Sequence, residues 1–136
     1  MGVLLYYHNN TIEGGSMAWK FNGNSPVFMQ IAERLRSEIF SGKYSPDDQI
    51  PSVRQLAFEA SVNPNTVQHA LSFLETEGLI VSKGTVGRFV TSDQDVLERS
   101  KEIFRREAVR EVLETATSLG ITKQELIEII KEENLP

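Results

Sequence analysis

A chain of 136 residues, 40% hydrophobic and 24% charged, has the length of one typical domain or of a small domain with an appendage, and its composition excludes a largely disordered polymer. It has no cysteine, and its histidines are His8 and His69 alone, which removes disulfides, thiolate metal sites, cysteine nucleophiles and histidine-rich metal chemistry; no metal and no cofactor are expected. The formal net charge of -5 speaks against a uniformly basic surface, but the acidity sits in the tail: residues 17–90 carry seven Lys/Arg and seven Asp/Glu, residues 91–136 seven and eleven.

Residues 1–16 show no sustained periodicity and end in Glu13-Gly14-Gly15-Ser16, directly before a second methionine, Met17. They are expected to be a disordered or upstream-translated leader, with Met17 as the true start. From Ser25 the signals strengthen. Ser25 can cap a helix and Pro26 suits its first turn, while Val27, Phe28, Ile31, Leu35 and Ile39 repeat with helical spacing up to Gly42. After a loop through Ser45-Pro46-Asp47-Asp48, the run Ser52-Val53-Arg54-Gln55 reads as a capping box. In it, serine and glutamine satisfy each other's backbone donors at the start of a short second helix. Val53, Leu56 and Ala57 face inward there. A third helix follows, capped by Asn63 with Pro64 at its first position, with Val67, Ala70, Leu71 and Leu74 as its apolar stripe and Gly78 as its stop. Leu79-Ile80-Val81, a glycine-containing turn and Phe89-Val90 predict a β-hairpin.

The tail predicts two more helices. One runs about 25 residues from near Asp93 to Gly120, with Ile103, Val109, Val112, Leu113, Ala116 and Leu119 as its apolar positions. The other opens on a second capping box, Thr122-Lys123-Gln124-Glu125, with Ile121 able to staple onto Leu126, and it carries Ile129 and Ile130. The expected fold is mainly α with one small β-hairpin: a winged helix-turn-helix domain over residues 17–91 and a helical tail over 92–136. An acidic amphipathic helix that cannot bury its stripe alone packs on its own domain or on a partner copy, and the tail positions Ile103, Val109, Val112, Leu113, Ala116, Leu119, Leu126, Ile129 and Ile130 are assigned to a homodimer interface.

Two short helices joined by a tight turn, the second opening with small polar residues and followed at once by a hairpin, form the layout that inserts a helix into the major groove of DNA. The residues themselves resemble a family. Gln30-Ile31-Ala32, Gln49-Ile50-Pro51-Ser52-Val53-Arg54-Gln55-Leu56-Ala57, Val62-Asn63-Pro64-Asn65-Thr66-Val67 and Leu74-Glu75-Thr76-Glu77-Gly78-Leu79-Ile80 are similar to the N-terminal domain of GntR-type repressors, over about residues 19–90. The family's loop usually has glycine where this chain has Asp47, which suggests a slightly different turn. Its wing usually ends Gly-X-Gly-Thr-Phe-Val, whereas this one reads Gly84-Thr85-Val86-Gly87-Arg88-Phe89-Val90, so a cation replaces the usual threonine. The short two-helix tail, with Trp19 ahead of the first helix, resembles the YtrA-like branch. That resemblance implies a dimer that often controls transport operons.

By that resemblance, Arg54 contacts backbone or base, its donor fork suiting guanine or phosphate. Ser52, Asn63, Asn65, Thr66, Gln68 and His69 surround it as DNA-binding candidates. Asparagine and glutamine can read adenine bidentately and threonine suits phosphate, with Asn63 assigned to the cap before the reader and His69 equally well a plain surface residue. Many relatives carry arginine at the Gln68 position, so a different base or a weaker hold is expected. Lys83, Thr85 and Arg88 of the hairpin are candidates for flanking phosphates. The expected partner is double-stranded operator DNA, read as an inverted repeat by a homodimer that represses by blocking polymerase; an effector is unknown. No phosphate loop, ligand cluster or catalytic arrangement of Ser, His and Asp points to an enzyme. The rival reading is a winged-helix module for protein contacts, which salt dependence of binding would separate from the first. Apolar runs are far below the roughly 18 residues that span a bilayer and no signal peptide is evident, so no membrane partner is expected and the cytoplasm is the default location.

Overall fold

The computed structural model describes residues 19–134; the leader reading for residues 1–16, Met17 and the last two residues of the tail lie outside them. Five helices and one hairpin follow in order among the described residues: α1 (Val27–Phe40), α2 (Val53–Ala60), α3 (Pro64–Thr76), β1 (Ile80–Lys83), β2 (Gly87–Val90), α4 (Gln94–Ser118) and α5 (Lys123–Glu132). Helix order, the hairpin and the 25-residue length of α4 agree with the expectation from sequence. The apolar stripes of α1 and α2 pack on α3, whose Val67, Ala70, Leu71 and Leu74 are fully enclosed with Ile31, Leu35, Leu56, Leu79, Ile80 and Val90. Among the described residues no helix is long and apolar enough to cross a membrane.

Local chemistry sets the helix ends. Helix α1 starts differently from expectation: Pro26 occupies the cap position and Ser25 makes no cap bond, because a proline cap offers no side-chain acceptor. The entry is held instead by Gln30, whose amide donates to Asn22 O at 2.9 Å and Ser25 O at 2.8 Å while its Oε1 accepts from Asn22 N at 3.1 Å. Trp19 lies against this strap, with the Arg34 guanidinium 3.9 Å over its ring. Ser52 caps α2 through Gln55 N at 3.1 Å, but the reciprocal half of the capping box is absent. The Gln55 side chain turns along the helix to Glu59, an i,i+4 partner at 3.2 Å. Thr122 likewise accepts from Glu125 N at 3.1 Å and its hydroxyl donates to the Glu125 carboxylate, so this box too is one-sided.

At the end of α3, Gly78 takes φ 80°, letting Gly78 N reach Glu75 O and Leu79 N reach Leu74 O, and the chain turns straight into β1. Helix α2 closes with the same bond pattern, but there Ser61 carries the left-handed conformation, φ 54°. Asp47 also stands at φ 69°. Aspartate tolerates this left-handed backbone better than most residues, so the turn forms here without glycine.

The wing is larger than a hairpin. In the β1–β2 register Ile80 faces Val90, Val81 faces Phe89, Ser82 faces Arg88 and Lys83 faces Gly87. Residues 47–50 then add a short third strand on the far side of β2. Gln49 bridges to Phe89, Ile50 N donates to Arg88 O, and Asp47 and Asp48 exchange bonds with Val90.

The boundary expected between residues 91 and 92 falls in the short link between β2 and α4. Asp93 caps α4 through Asp95 N and Val96 N, and Leu97, one turn in, packs into the core of the winged part. Phe104 packs against Phe40 of α1, their ring centres 5.4 Å apart and their planes tilted by 55°. Beyond that point α4 leaves the core, turns at Gly120 and is backed by α5.

Candidate DNA-binding surface

The loop that forms the third strand of the wing ends at Pro51, so the wing's own hydrogen bonds fix where α2 begins. Ser52 and Asn63 cap α2 and α3, each with its side-chain oxygen on a backbone N–H: Ser52 on Gln55 N at 3.1 Å, Asn63 on Asn65 N at 2.8 Å. Each such cap contributes roughly 1 kcal/mol to stability, and the remaining free N–H groups at these exposed ends are suited to phosphate oxygens. Asn63 thus takes the capping role assigned to it ahead of reading.

Arg54 sits in the first turn of α2, exposed. Among the described residues it has no ion-pair or hydrogen-bond partner, although the chain is acidic and five other cations of the winged part, Arg34, Arg36, Lys43, Lys83 and Arg88, are paired. On α3, Asn65 and Gln68 are exposed with side chains free of partners among the described residues, and Thr66 is half-buried beside them. One guanidinium and two amides, each able to form a two-point contact with a base edge, therefore stand on the outer surface of a helix-turn-helix.

The remaining candidates are placed differently. His69 stacks on Phe28 of α1, ring centres 3.6 Å apart and planes 14° off parallel, so its ring is committed to the α1 side of α3. Lys83 is half-exposed, 3.8 Å from Asp47 and 4.6 Å over the Phe89 ring; an open pair of this kind is worth little and leaves the ammonium available. Thr85 stands exposed at the wing tip next to Val86. Arg88 does not face outward. It pairs with Glu75 of α3, which also accepts from the Ser82 hydroxyl at 2.9 Å. These bonds, the Arg88 bond first, hold the Glu75 carboxyl below its ordinary range against the opposing effect of its partial burial.

Sequence reasoning missed Glu75 and Gln49, which between them hold the wing, and Phe58, which stands 85% exposed one turn along α2 from Arg54. A signal for Arg88 was available: strand residues two apart share a face, and Val90 is a core residue, so Arg88 must point the same way, toward α3.

Of the tail positions assigned to a dimer, Ile103, Val109, Leu119, Ile129 and Ile130 are exposed, Leu119 most at 71%, and Val112, Leu113 and Leu126 are half-buried. Ala116 is a correction. It is 6% exposed within this one chain, because the turn at Gly120 brings Ile121 N back onto Ala116 O, and it has no surface to offer a partner. A groove of about 460 Å³ runs between α1, the end of α3 and α4. It is walled by Met29, Phe73, Ile103 and Phe104 with Glu33 and Glu107 on its rim, and it continues the exposed stripe through Ile103. Burial pushes the Glu33 carboxyl above its ordinary range; Arg36 opposes this and the acids Glu111 and Glu107 of α4 reinforce it.

Comparison with known proteins agrees with this geometry. The pattern of the bacterial regulatory proteins of the gntR family matches residues 29–90. The HTH-type transcriptional regulator YhcF of Bacillus subtilis is 30% identical over 112 residues, 82% of this chain and 93% of its own. The chain belongs to the GntR family. The HTH-type transcriptional repressor YtrA of Bacillus subtilis is 31% identical over 110 residues, 80% of this chain and 85% of its own. Among solved structures, a GntR family transcriptional regulator from Listeria monocytogenes superposes with a TM-score of 0.76 at 29% identity, covering 84% of this chain and all of the other. The GntR protein described here is thus a transcriptional regulator with a DNA-binding winged helix-turn-helix domain, and the family is one of regulators rather than enzymes.

Proposed function

We propose that this regulator is a repressor that binds an inverted-repeat operator as a homodimer. In this reading Arg54, Asn65, Gln68 and Thr66 contact the major groove, the N-termini at Ser52 and Asn63 contact phosphate, and Lys83 and Thr85 of the wing contact the flanking backbone. The unpaired Arg54 carries the reading. An exposed guanidinium with no partner among the described residues, at the start of the helix before the recognition helix, is free to take a phosphate or a base edge. His69 is left as a helix-packing residue and Arg88 as an internal one, for the contacts given above.

The homodimer reading is supported by the exposed apolar residues Ile103, Val109, Leu119, Ile129 and Ile130 along α4 and α5 and by the groove that continues them through Ile103. Two joined copies place their recognition helices about one turn of DNA apart, and occupancy of such a site over a promoter excludes polymerase. The DNA-binding domain of AraR, similar to this chain with a TM-score of 0.50 at 29% identity, has been solved in complex with operator, and the relative YtrA is named a repressor. The resemblance to the YtrA-like branch implies a transport operon as the target class, and cytoplasmic action goes with a transcription-regulating role.

The test is selection of bound duplexes from random DNA by the purified protein near physiological salt. The expected product is a two-fold symmetric site from which Arg54→Ala loses about 1–3 kcal/mol of affinity with its fold intact. Undiminished affinity in that variant would remove Arg54 from the interface. A folded dimer that enriches no sequence would favour the protein-contact reading, for which the exposed Phe58 is the available anchor.

A further inference from the structure

Arg88 lies on β2 of the wing, and its surroundings are unlike those of a phosphate-binding arginine. Ser82 and Arg88 are direct cross-strand partners and so share one face of the hairpin, the face that two residues further along carries the enclosed Ile80 and Val90. That face meets α3, and there both side chains converge on one carboxylate, Glu75. The Arg88 side chain is only 21% exposed and that of Glu75 32%, so the pair is less open to solvent than Lys83 with Asp47.

The opposite side of the hairpin is held as well. Gln49 pairs its backbone with Phe89 and sends its side-chain amide to Val86 O at 2.9 Å, directly at the wing turn. A Cβ at Gly87 would come within 2.6 Å of that amide and displace it, at a φ of 138° that is strained for any other residue. The wing is therefore pinned to the recognition helix on one side and to the loop leading into α2 on the other.

Resting on the proposed operator binding, we infer that Glu75 is a positioning residue. Its clasp on Arg88 and Ser82 fixes the wing against the recognition helix before DNA arrives, and Arg88 neutralises no phosphate in the complex. What the wing tip offers DNA is then Thr85 and Val86, one hydroxyl and one apolar side chain, with Lys83 behind them.

Salt dependence separates this from a phosphate-binding Arg88, because each phosphate neutralised contributes about 0.9 to the slope of log affinity against log salt. The selected operator is titrated at several salt concentrations with the wild type, Arg88→Ala, Glu75→Ala and the double variant. The clasp predicts that Arg88→Ala binds several-fold more weakly at an unchanged slope. Glu75→Ala, with Arg88 released, steepens the slope by about 0.9, and the double variant returns it to the wild-type value. A slope that flattens by about 0.9 in Arg88→Ala overturns the inference, because the arginine then leaves Glu75 for a phosphate.

Hydrogen exchange on free protein gives a second arm that needs no DNA. Amides of residues 82–88 exchange faster in Glu75→Ala while those of α1 do not change; unchanged wing exchange overturns the clasp. Failure of the wild type to bind any selected operator would count against the regulator's proposed mode of binding, and the exchange arm would still decide the clasp.

Discussion

Helices α3 and α4 are both amphipathic, yet they end in opposite situations. On α3 the residues Val67, Ala70, Leu71 and Leu74 are sealed by α1, α2 and β1, whereas on α4 only Leu97, near its start, and Ala116, near its end, are enclosed, and Ile103 and Val109 stay more than half exposed between them. The winged part thus completes a hydrophobic core within one chain, and the tail completes only its two ends. An apolar stripe that its own chain leaves open is what a second copy would close in the proposed homodimer, so the contrast puts the stability of one chain in the first region and leaves the second as the surface that proposal uses.

The sharpest way to break that contrast is to remove the same kind of side chain from each region. Leu71→Ala should lower unfolding free energy by about 2–5 kcal/mol, the usual cost of a cavity at a fully enclosed leucine, measured by denaturant titration. Leu119→Ala, at a residue 71% exposed, should change monomer stability by less than about 0.5 kcal/mol. Comparable losses in both would mean that the tail is part of one cooperative core.

Next in size, Ile103→Glu combined with Val109→Glu should leave the circular dichroism spectrum and melting of the winged part intact while shifting sedimentation from dimer to monomer. Operator affinity should fall by at least about tenfold, about 1.4 kcal/mol, because each half-site is then bound alone. A double variant that stays dimeric would move the interface away from α4.

Much of this architecture was legible in the sequence because it is written in local chemistry. Asn63 before Pro64, Gly78 after Leu74 and Asp93 before α4 each act within a few residues, and each stands where expected. What the sequence concealed lies in contacts between distant segments. The 47–50 strand has one bridge residue, Gln49, and no alternation to betray it. The Glu75–Arg88 pair spans 13 positions and joins a helix to a strand, and His69 meets Phe28 across two helices. Local competition hid the rest: Gln55 had two reachable partners, the Ser52 backbone and Glu59, and only coordinates decide between them. The candidate site divides in the same manner, since Arg54, Asn65 and Gln68 stay free on the surface while Arg88 and His69 are engaged within the fold.

A smaller effect tests the capping assignment at the site itself. Asn63→Ala should cost about 1 kcal/mol in stability through loss of the bond to Asn65 N, and Asn63→Ser, which retains a neutral acceptor, should restore most of it. If Asn63 also reads a base, the serine variant would be stable yet bind operator poorly, which separates the two roles in one pair of measurements.

The smallest expected effect reports on the seam between the regions. Glu33 of α1 lines the groove facing α4, its Oε2 buried without a hydrogen-bond partner among the described residues, and its pKa is raised chiefly by burial. An acid whose folded pKa lies above its ordinary value near 4.5 is more readily protonated in the folded state, so stability falls as pH rises from 4.5 through the raised value, and at neutral pH the ionised group is a cost. Glu33→Gln should therefore raise the melting temperature at pH 7.5, with the gain disappearing at pH 4. Glu75 has the opposite sign, because its depressed pKa makes the clasp stabilising above pH 4.5 and lost as pH falls through the lowered value. If a second copy closes the groove over Glu33, the neutral-pH gain from Glu33→Gln should grow with protein concentration while the loss from Glu75→Gln stays constant. Equal concentration dependence in the two variants would place Glu33 outside any contact between copies.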